Sequence, residues 1–308
     1  MEHYYSLNRF ARDTFGCKLY KLALNGGMSC PNRDGTLGDR GCIFCSQGGS
    51  GDFAASSSLS ITDQIEAAKA LVARKAPEGV RYIAYFQAYT NTYAPVSYLR
   101  PLFTEALEHP EVAVLSVATR PDCLPPEVLS LLEELSRRKP VWVELGLQTI
   151  HPASQAYIRS GFSTADYDRA VRALHDCGLS VITHVILGLP GESREDLLAT
   201  IHHVGAMGSE GVKLQLLHVL KGTDLAEEYK KDRLSVLSLN AYIDLLIDCI
   251  EHLPPETVIH RLTGDGPKSL LLAPLWSADK HRVLRVIQQE MDRNSIRQGK
   301  YWTSEDCC

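Results

Sequence analysis

Three cysteines share one glycine-bearing stretch, Cys30-Pro-Asn-Arg-Asp-Gly-Thr-Leu-Gly-Asp-Arg-Gly-Cys42-Ile-Phe44-Cys45. A set of soft thiolates binds either zinc or an iron–sulfur cluster. A structural zinc site asks for four ligands, and no further Cys or His follows in the loop. Three thiolates on a cubane cluster leave one iron open, where a substrate or cofactor can bind. The alternative reading is a structural zinc or redox loop with a remote fourth ligand. Further polar residues close a series of apolar runs: Gln87 after Val80–Phe86, Thr119-Arg120-Pro121-Asp122 after Val112–Ala118, Gln148 after Val141–Leu147, and Gly188-Leu189 after Leu179–Leu187. Glu144 and His184 lie within two of these runs, and His218 closes a later one.

The runs themselves read as strands. Lys18–Leu24 is the first, and the cysteine loop, residues 25–53, follows it directly. Val80–Gln87, Val112–Ala118, Val141–Gln148, Leu179–Leu187 and Val212–His218 are rich in β-branched and aromatic residues. Between them lie helix patterns, one with Thr62 as its expected N-cap and apolar residues at Ile65, Ala68 and Val72. Others span Ser97–Glu108, Pro126–Arg138, Thr164–Cys177 and Arg194–Met207. Six strands joined mostly by helices imply parallel pairing through right-handed crossovers. Pattern alone allows a partial barrel or an open doubly wound sheet. Reactive residues at strand C-terminal ends favour the barrel. The expectation is an α/β fold: a partial (βα)6 TIM-like barrel over 1–221, including the cysteine loop. Residues 222–308 should form a mainly helical extension packing on it, with helices at Asn240–His252 and Asp279–Asp292 and one strand at Thr257–Leu262.

Composition narrows the class. A chain of 308 residues, 44% apolar and 22% charged, can bury a sizeable core. No apolar run reaches the roughly 18–20 residues of a membrane span, so no membrane partner is expected. The start, MEHYYSLNRFARDTFG, lacks a signal peptide's apolar stretch, which places the protein in the cytoplasm. In that reducing compartment clustered thiols suggest a metal site rather than disulfides. Cys17, Cys123, Cys177 and Cys249 are scattered and read as small buried residues, and Cys307-Cys308 as a frayed tail. A net charge of −5 argues against indiscriminate nucleic-acid binding, and DNA is not an expected partner. Residues 280–300 nevertheless carry Lys280, Arg282, Arg285, Arg293, Arg297 and Lys300 against Glu290 and Asp292. That strip is either a solvated helix face or a contact for RNA phosphates.

The cysteine loop resembles that of the radical S-adenosylmethionine (SAM) superfamily, with Phe44 as the aromatic before the last ligand. The usual first gap is three residues; here it is eleven, as in the branch that holds the Elongator catalytic subunit. The loop and Gly264-Asp-Gly-Pro-Lys-Ser-Leu-Leu-Leu-Ala-Pro-Leu-Trp276-Ser resemble a bacterial YhcC/YtqA-type subfamily. The resemblance implies one four-iron, four-sulfur cluster on Cys30, Cys42 and Cys45, and SAM as second cofactor. It implies SAM contacts at Phe44, Glu144 and Gln148, and a SAM-carboxylate role for Arg159. His184, Gly188 and Leu189 correspond to the segment that runs along the adenine. Thr119-Arg120-Pro121-Asp122 matches the Elongator-branch text, but Ala118 stands where those relatives carry a Glu that helps hold the methionine part. Gln87 is the candidate substitute. The resemblance points to no residue as the catalytic acid or base.

What it implies about activity is reductive cleavage of SAM to a 5′-deoxyadenosyl radical, hydrogen abstraction from a substrate, and a flavodoxin- or ferredoxin-type electron donor. The Elongator likeness makes tRNA the expected partner. The concrete reaction is conversion of 5-carboxymethylaminomethyluridine to 5-aminomethyluridine at the wobble position. The alternatives are a radical SAM oxidase of a small metabolite or tetrapyrrole, and a non-catalytic metal-binding partner protein.

Overall fold

The computed structural model describes residues 2–73, 79–264 and 266–303. Helix α1 (Leu7–Phe15) leads into β1 (Leu19–Leu24), and the cysteine loop then runs to α2 (Ile61–Val72). Strand and helix alternate from there: β2 (Arg81–Phe86), α3 (Val96–Glu108), β3 (Val112–Thr119), α4 (Pro126–Ser136) and β4 (Val141–Gln148). Two helices, α5 (Pro152–Ile158) and α6 (Thr164–Asp176), precede β5 (Ser180–Leu187), followed by α7 (Arg194–Ala206) and β6 (Gly211–Leu216). The remainder comprises β7 (Val219–Leu220), α8 (Asp224–Lys230), α9 (Leu239–His252), β8 (Val258–Arg261), β9 (Leu271–Ala273), a 3-10 turn at Leu275–Ala278 and α10 (Lys280–Arg293).

One parallel sheet runs in the order β1-β2-β3-β4-β5-β6-β8, and β7 pairs antiparallel with β9 beside it. The expected six strands are all there, and the run near 257–262 adds a seventh by pairing with β6. Strand β3 is buried at every position, as a parallel strand covered on both faces should be. Alternation still sorts its neighbours: Val141, Val143, Leu145 and Leu147 of β4 join the main helix-covered core, while Glu144, Gly146 and Gln148 face a cavity.

Capping chemistry sets the helix starts. Ser163 with Asp166, and Ser193 with Asp196, form complete capping boxes on α6 and α7. The N-cap expected at Thr62 lies two residues earlier: the Ser60 hydroxyl accepts from the Asp63 amide at 3.1 Å. Both residues suit a cap, and the buried Ile61 decides the phase. Helix α10 buries Val283, Ile287 and Met291 and leaves Arg282 and Arg285 exposed. The two ends of the chain meet at the β8 edge: Ser6 bridges Ile259, and the Tyr5 amide donates to Gln298 Oε1 at 2.8 Å. Among the described residues no helix is long and apolar enough to cross a membrane.

Candidate active site

The cysteine loop is shaped by short backbone turns. The Arg33 amide donates to the Cys30 carbonyl at 2.8 Å, and the Cys45 amide to the Cys42 carbonyl at 3.0 Å. Gly49 brings the loop against the end of β2; a Cβ there would run into the Tyr89 ring, whose amide donates to the Gly49 carbonyl at 2.8 Å. Cys30, Cys42 and Cys45 all line one cavity of about 240 Å³ at the C-terminal ends of the strands, and Phe44 lines it with them.

The donor set fits an iron–sulfur cluster. Tetrahedral zinc, with Zn–S bonds near 2.3 Å, draws its sulfurs to about 3.8 Å of one another. Among the described residues the three thiols are not gathered into a group within 4.8 Å, as zinc would draw them, and three thiolates in one cavity are the donor set of a cubane with one open iron. Burial pushes the Cys42 thiol up to about 12, and neighbouring Cys45 adds to it; a bound metal offsets that cost of ionisation. Asn32, itself buried, points its amide at Cys42 Sγ (3.4 Å) while donating to the Arg159 carbonyl at 2.7 Å. Two guanidiniums face the thiols. Arg33 donates to the carbonyls of Cys45 and Ser46 at 3.0 and 2.6 Å, and the charge of Arg120 acts on Cys42. Arg120 is fixed by a two-pronged pair with Asp122 at 2.9 and 2.8 Å and lies over the Phe162 ring.

Below the thiols the cavity floor is a buried polar cluster. Glu144, fully buried, accepts from Lys21 at 2.7 Å, Ser116 at 2.8 Å, His184 at 2.8 Å and from Lys213. Lys213 Nζ also reaches Tyr85 Oη at 3.0 Å. Burial by itself would raise the Glu144 carboxyl, but Lys21, Lys213 and the His184 bond outweigh it and hold it well below the usual carboxylate range. Burial drives Lys213 well below the ordinary lysine range; Glu144 opposes this, while Lys21 and Arg261 reinforce it. His184 is pushed down to about 4 by burial and by Lys213. The ring is therefore neutral, with Nε2–H donating to Glu144.

Strand ends supply the rest. Gln148, closing β4 where the β4–β5 register shifts, adopts a left-handed backbone with φ 70°. Its buried Oε1 has no hydrogen-bond partner and lies in the cavity wall. Ser50 and Tyr89, at φ 64° and 60°, are also left-handed and also line the cavity. Such strain gathers where a site over-determines the backbone. An orphaned carbonyl oxygen in this wall fits a cofactor's donor group.

The structure thus brings together Phe44, Gln87, Thr119, Arg120, Glu144, Gln148 and His184 around the three cysteines. Within that set, Glu144 is saturated by protein donors. Arg159, Gly188 and Leu189 do not line the cavity. Arg159 caps α5 in a left-handed conformation and pairs with Asp224 at 2.6 Å, whereas Arg120 is the guanidinium that lines the cavity beside the thiols. The openness at Gly188 is used by Leu237, which a Cβ there would strike. Arg40 is likewise held by Asp224, at 2.5 Å. Sequence reasoning missed Lys21, Lys213, Arg261 and Asn32. A lysine at an inward position of the apolar run Gly211-Val-Lys-Leu-Gln-Leu216 is the signal that could have found one of them. Cys123 and Cys249 are buried, Cys17 and Cys177 half-buried, and Cys307 and Cys308 lie outside the described residues.

Comparison with known proteins agrees with this geometry. The model of the radical SAM superfamily matches residues 35–204, and that of the radical SAM C-terminal domain residues 209–293. The chain is 43% identical to the protein YtqA of Bacillus subtilis over 98% of its own length and 93% of that protein's. It is 40% identical to YhcC of Escherichia coli strain K12, covering 94% of each. A partial match, 28% identical over 56% of the chain and 38% of the relative, is to a tRNA uridine(34) acetyltransferase of Dehalococcoides mccartyi. The solved structure of Elp3 from Methanocaldococcus infernus superposes with a TM-score of 0.69 at 16% identity, over 91% of this chain and 64% of that one.

Proposed function

The chain belongs to the radical SAM superfamily, and from that premise we propose that it oxidises the 5-substituent of the tRNA wobble uridine, converting carboxymethylaminomethyluridine to aminomethyluridine. The observation that carries the class is the meeting of Cys30, Cys42, Cys45 and the orphaned Gln148 oxygen in one cavity. When bound, a four-iron, four-sulfur cluster and SAM supply a 5′-deoxyadenosyl radical that abstracts hydrogen. Cys30, Cys42 and Cys45 hold the cluster, Arg33 and Arg120 balance its negative charge, and Gln148 with Thr119 and Gln87 orients SAM. Phe44 and Phe162 line the cavity and shield the radical step from water, hydrolysis of the imine coming after it.

The net reaction is a two-electron oxidation of the substrate's CH2–NH–CH2–COO− arm at the methylene beside the carboxylate. One hydrogen atom leaves that carbon; one electron and the N–H proton follow, giving an imine. Water splits the imine into the aminomethyl product and glyoxylate. The electron passes to a flavodoxin- or ferredoxin-type protein. Support for tRNA as substrate comes from the partial likeness to tRNA uridine(34) acetyltransferases and from the exposed Arg282 and Arg285 of α10. A second reading, oxidation of a small metabolite, is favoured by the modest cavity.

The test is an anaerobic assay of the reconstituted protein with SAM, dithionite and tRNA, following 5′-deoxyadenosine, glyoxylate and digested nucleosides by mass spectrometry. Conversion of the wobble nucleoside with matching glyoxylate supports the reading. Formation of 5′-deoxyadenosine with no nucleoside change sinks the tRNA substrate and keeps the class.

A further inference from the structure

We infer that Lys213 is the base that takes the N–H proton of the substrate as its amine is oxidised to the imine. The residue stands on β6 in the cavity floor, lines the cavity and is only 2% exposed. Its Nζ is held from two sides, by a Glu144 oxygen on β4 and by Tyr85 Oη on β2 at 3.0 Å. Tyr85 lines the cavity too, and Nζ lies 4.3 Å from the centre of its ring. A lysine fixed and desolvated in this way suits general-base work.

Glu144 does not depend on Lys213 for a counterion. It accepts from Lys21 and Ser116 on one oxygen and from His184 and Lys213 on the other. Lys21, the more exposed of the two lysines at 19%, supplies the carboxylate with an ammonium. Arg261 and His260 face Lys213 from β8, and the neutral His184 ring faces it from β5. Burial, Lys21 and Arg261 weaken the hold of Lys213 on a proton, and Glu144 opposes them. A proton taken from substrate therefore creates an ammonium already beside a carboxylate, which stabilises the outcome of the transfer.

The other acceptors in the wall are poorer. His184, pushed down to about 4, is a weak base near pH 7. Asp52 is exposed and accepts from the Ser46 hydroxyl at 2.8 Å. His218, whose ring packs against Gly264 and Gly266, is the rival that an experiment must separate.

Once hydrogen has left the methylene, the unpaired electron on carbon and the N–H pair make three electrons. The proton goes to Lys213 Nζ, two electrons form the C=N bond, and the third passes to the flavodoxin- or ferredoxin-type protein. After hydrolysis Lys213 returns the proton to the amine of the aminomethyl product. This role rests on the proposed amine oxidation and holds whether tRNA or a metabolite carries the amine.

The test follows single turnovers of the anaerobically reconstituted holoprotein with SAM, dithionite and flavodoxin. Two substrates are deuterated at the methylene beside the carboxylate: tRNA carrying 5-carboxymethylaminomethyluridine, and N-benzylglycine. Deuterium in 5′-deoxyadenosine reports hydrogen abstraction, and glyoxylate reports completed oxidation. Lys213→Ala should still place deuterium in 5′-deoxyadenosine, while glyoxylate per deuterated 5′-deoxyadenosine falls about 100-fold. Methylamine should restore that ratio by about tenfold or more, and the acid limb of the rescued reaction should move with the basicity of the amine supplied. Lys213→Arg, a permanent cation, should show the same loss without rescue, and it stands in if the alanine variant folds poorly. If only N-benzylglycine responds in this way, the base stands and the tRNA reading falls. An unchanged ratio in Lys213→Ala, no rescue by methylamine, or the same signature at His218→Gln with imidazole would each overturn the base and leave the amine oxidation intact. No glyoxylate from the wild type on either substrate would overturn both.

Discussion

The His184 ring donates its Nε2–H to the Glu144 carboxylate at 2.8 Å, and this leaves Nδ1 as the ring's acceptor. The ring is buried and neutral, with its pKa pushed down to about 4. Between roughly pH 6.5 and 4 the unfolded chain therefore takes up a proton that the folded chain refuses. Stability from this residue is complete above the ordinary histidine value and is lost as the pH falls through that window, by about 3 kcal/mol in all. Urea unfolding at pH 7 and pH 5 should show a steeper loss for wild type than for His184→Gln. Parallel losses would remove His184 as the source.

Glu144→Gln should destabilise the protein by about 3–5 kcal/mol, because Lys213 is left buried beside Lys21 with no carboxylate. Adding Lys213→Met should recover much of that loss. Chemical denaturation of the single and double variants measures the coupling directly.

Cys42→Ala should lose the iron and sulfide of the reconstituted protein, whereas Cys123→Ser, a buried thiol outside the cavity, should keep them. Unchanged iron and sulfide in Cys42→Ala would overturn the ligand assignment.

Gln148→Asn tolerates the left-handed backbone but withdraws the amide from the cavity. A hydrogen bond to a charged ligand contributes about 1.5–3 kcal/mol, so SAM binding should weaken by roughly tenfold or more. Arg159→Gln, whose native guanidinium is tied to Asp224, should alter SAM affinity by less than about twofold. Equilibrium dialysis of SAM against the two variants separates these roles; a larger effect at Arg159 would reverse them.

If α10 meets RNA phosphates, Arg282→Glu with Arg285→Glu should weaken tRNA binding and flatten its salt dependence by about 1–2 in the logarithmic slope. Filter binding across a salt series reads both. An unchanged slope would make that face a solvated one.

The sheet was legible because its strands are nearly continuous apolar runs, and the cluster loop because its ligands are neighbours in sequence. The floor was legible only in Glu144 and His184, not in the cations around them. Lys21, Glu144, Lys213 and Arg261 come from four strands scattered along the chain, and the curling of the sheet alone makes them one cluster. Arg159 shows what spacing alone does not give: the turn after α5 sets its backbone left-handed, and its side chain pairs with Asp224.

The pairing of β8 with β6 also sets a timetable for synthesis. Cys45, the last cluster ligand, is translated long before Arg261, which ends the strand that completes the sheet. Until that strand has left the ribosome the edge of β6 has no neighbour, and Ser6 has nothing at Ile259 to bridge. The nascent chain thus passes through a long interval with its thiols already made and the seventh strand of its sheet still missing.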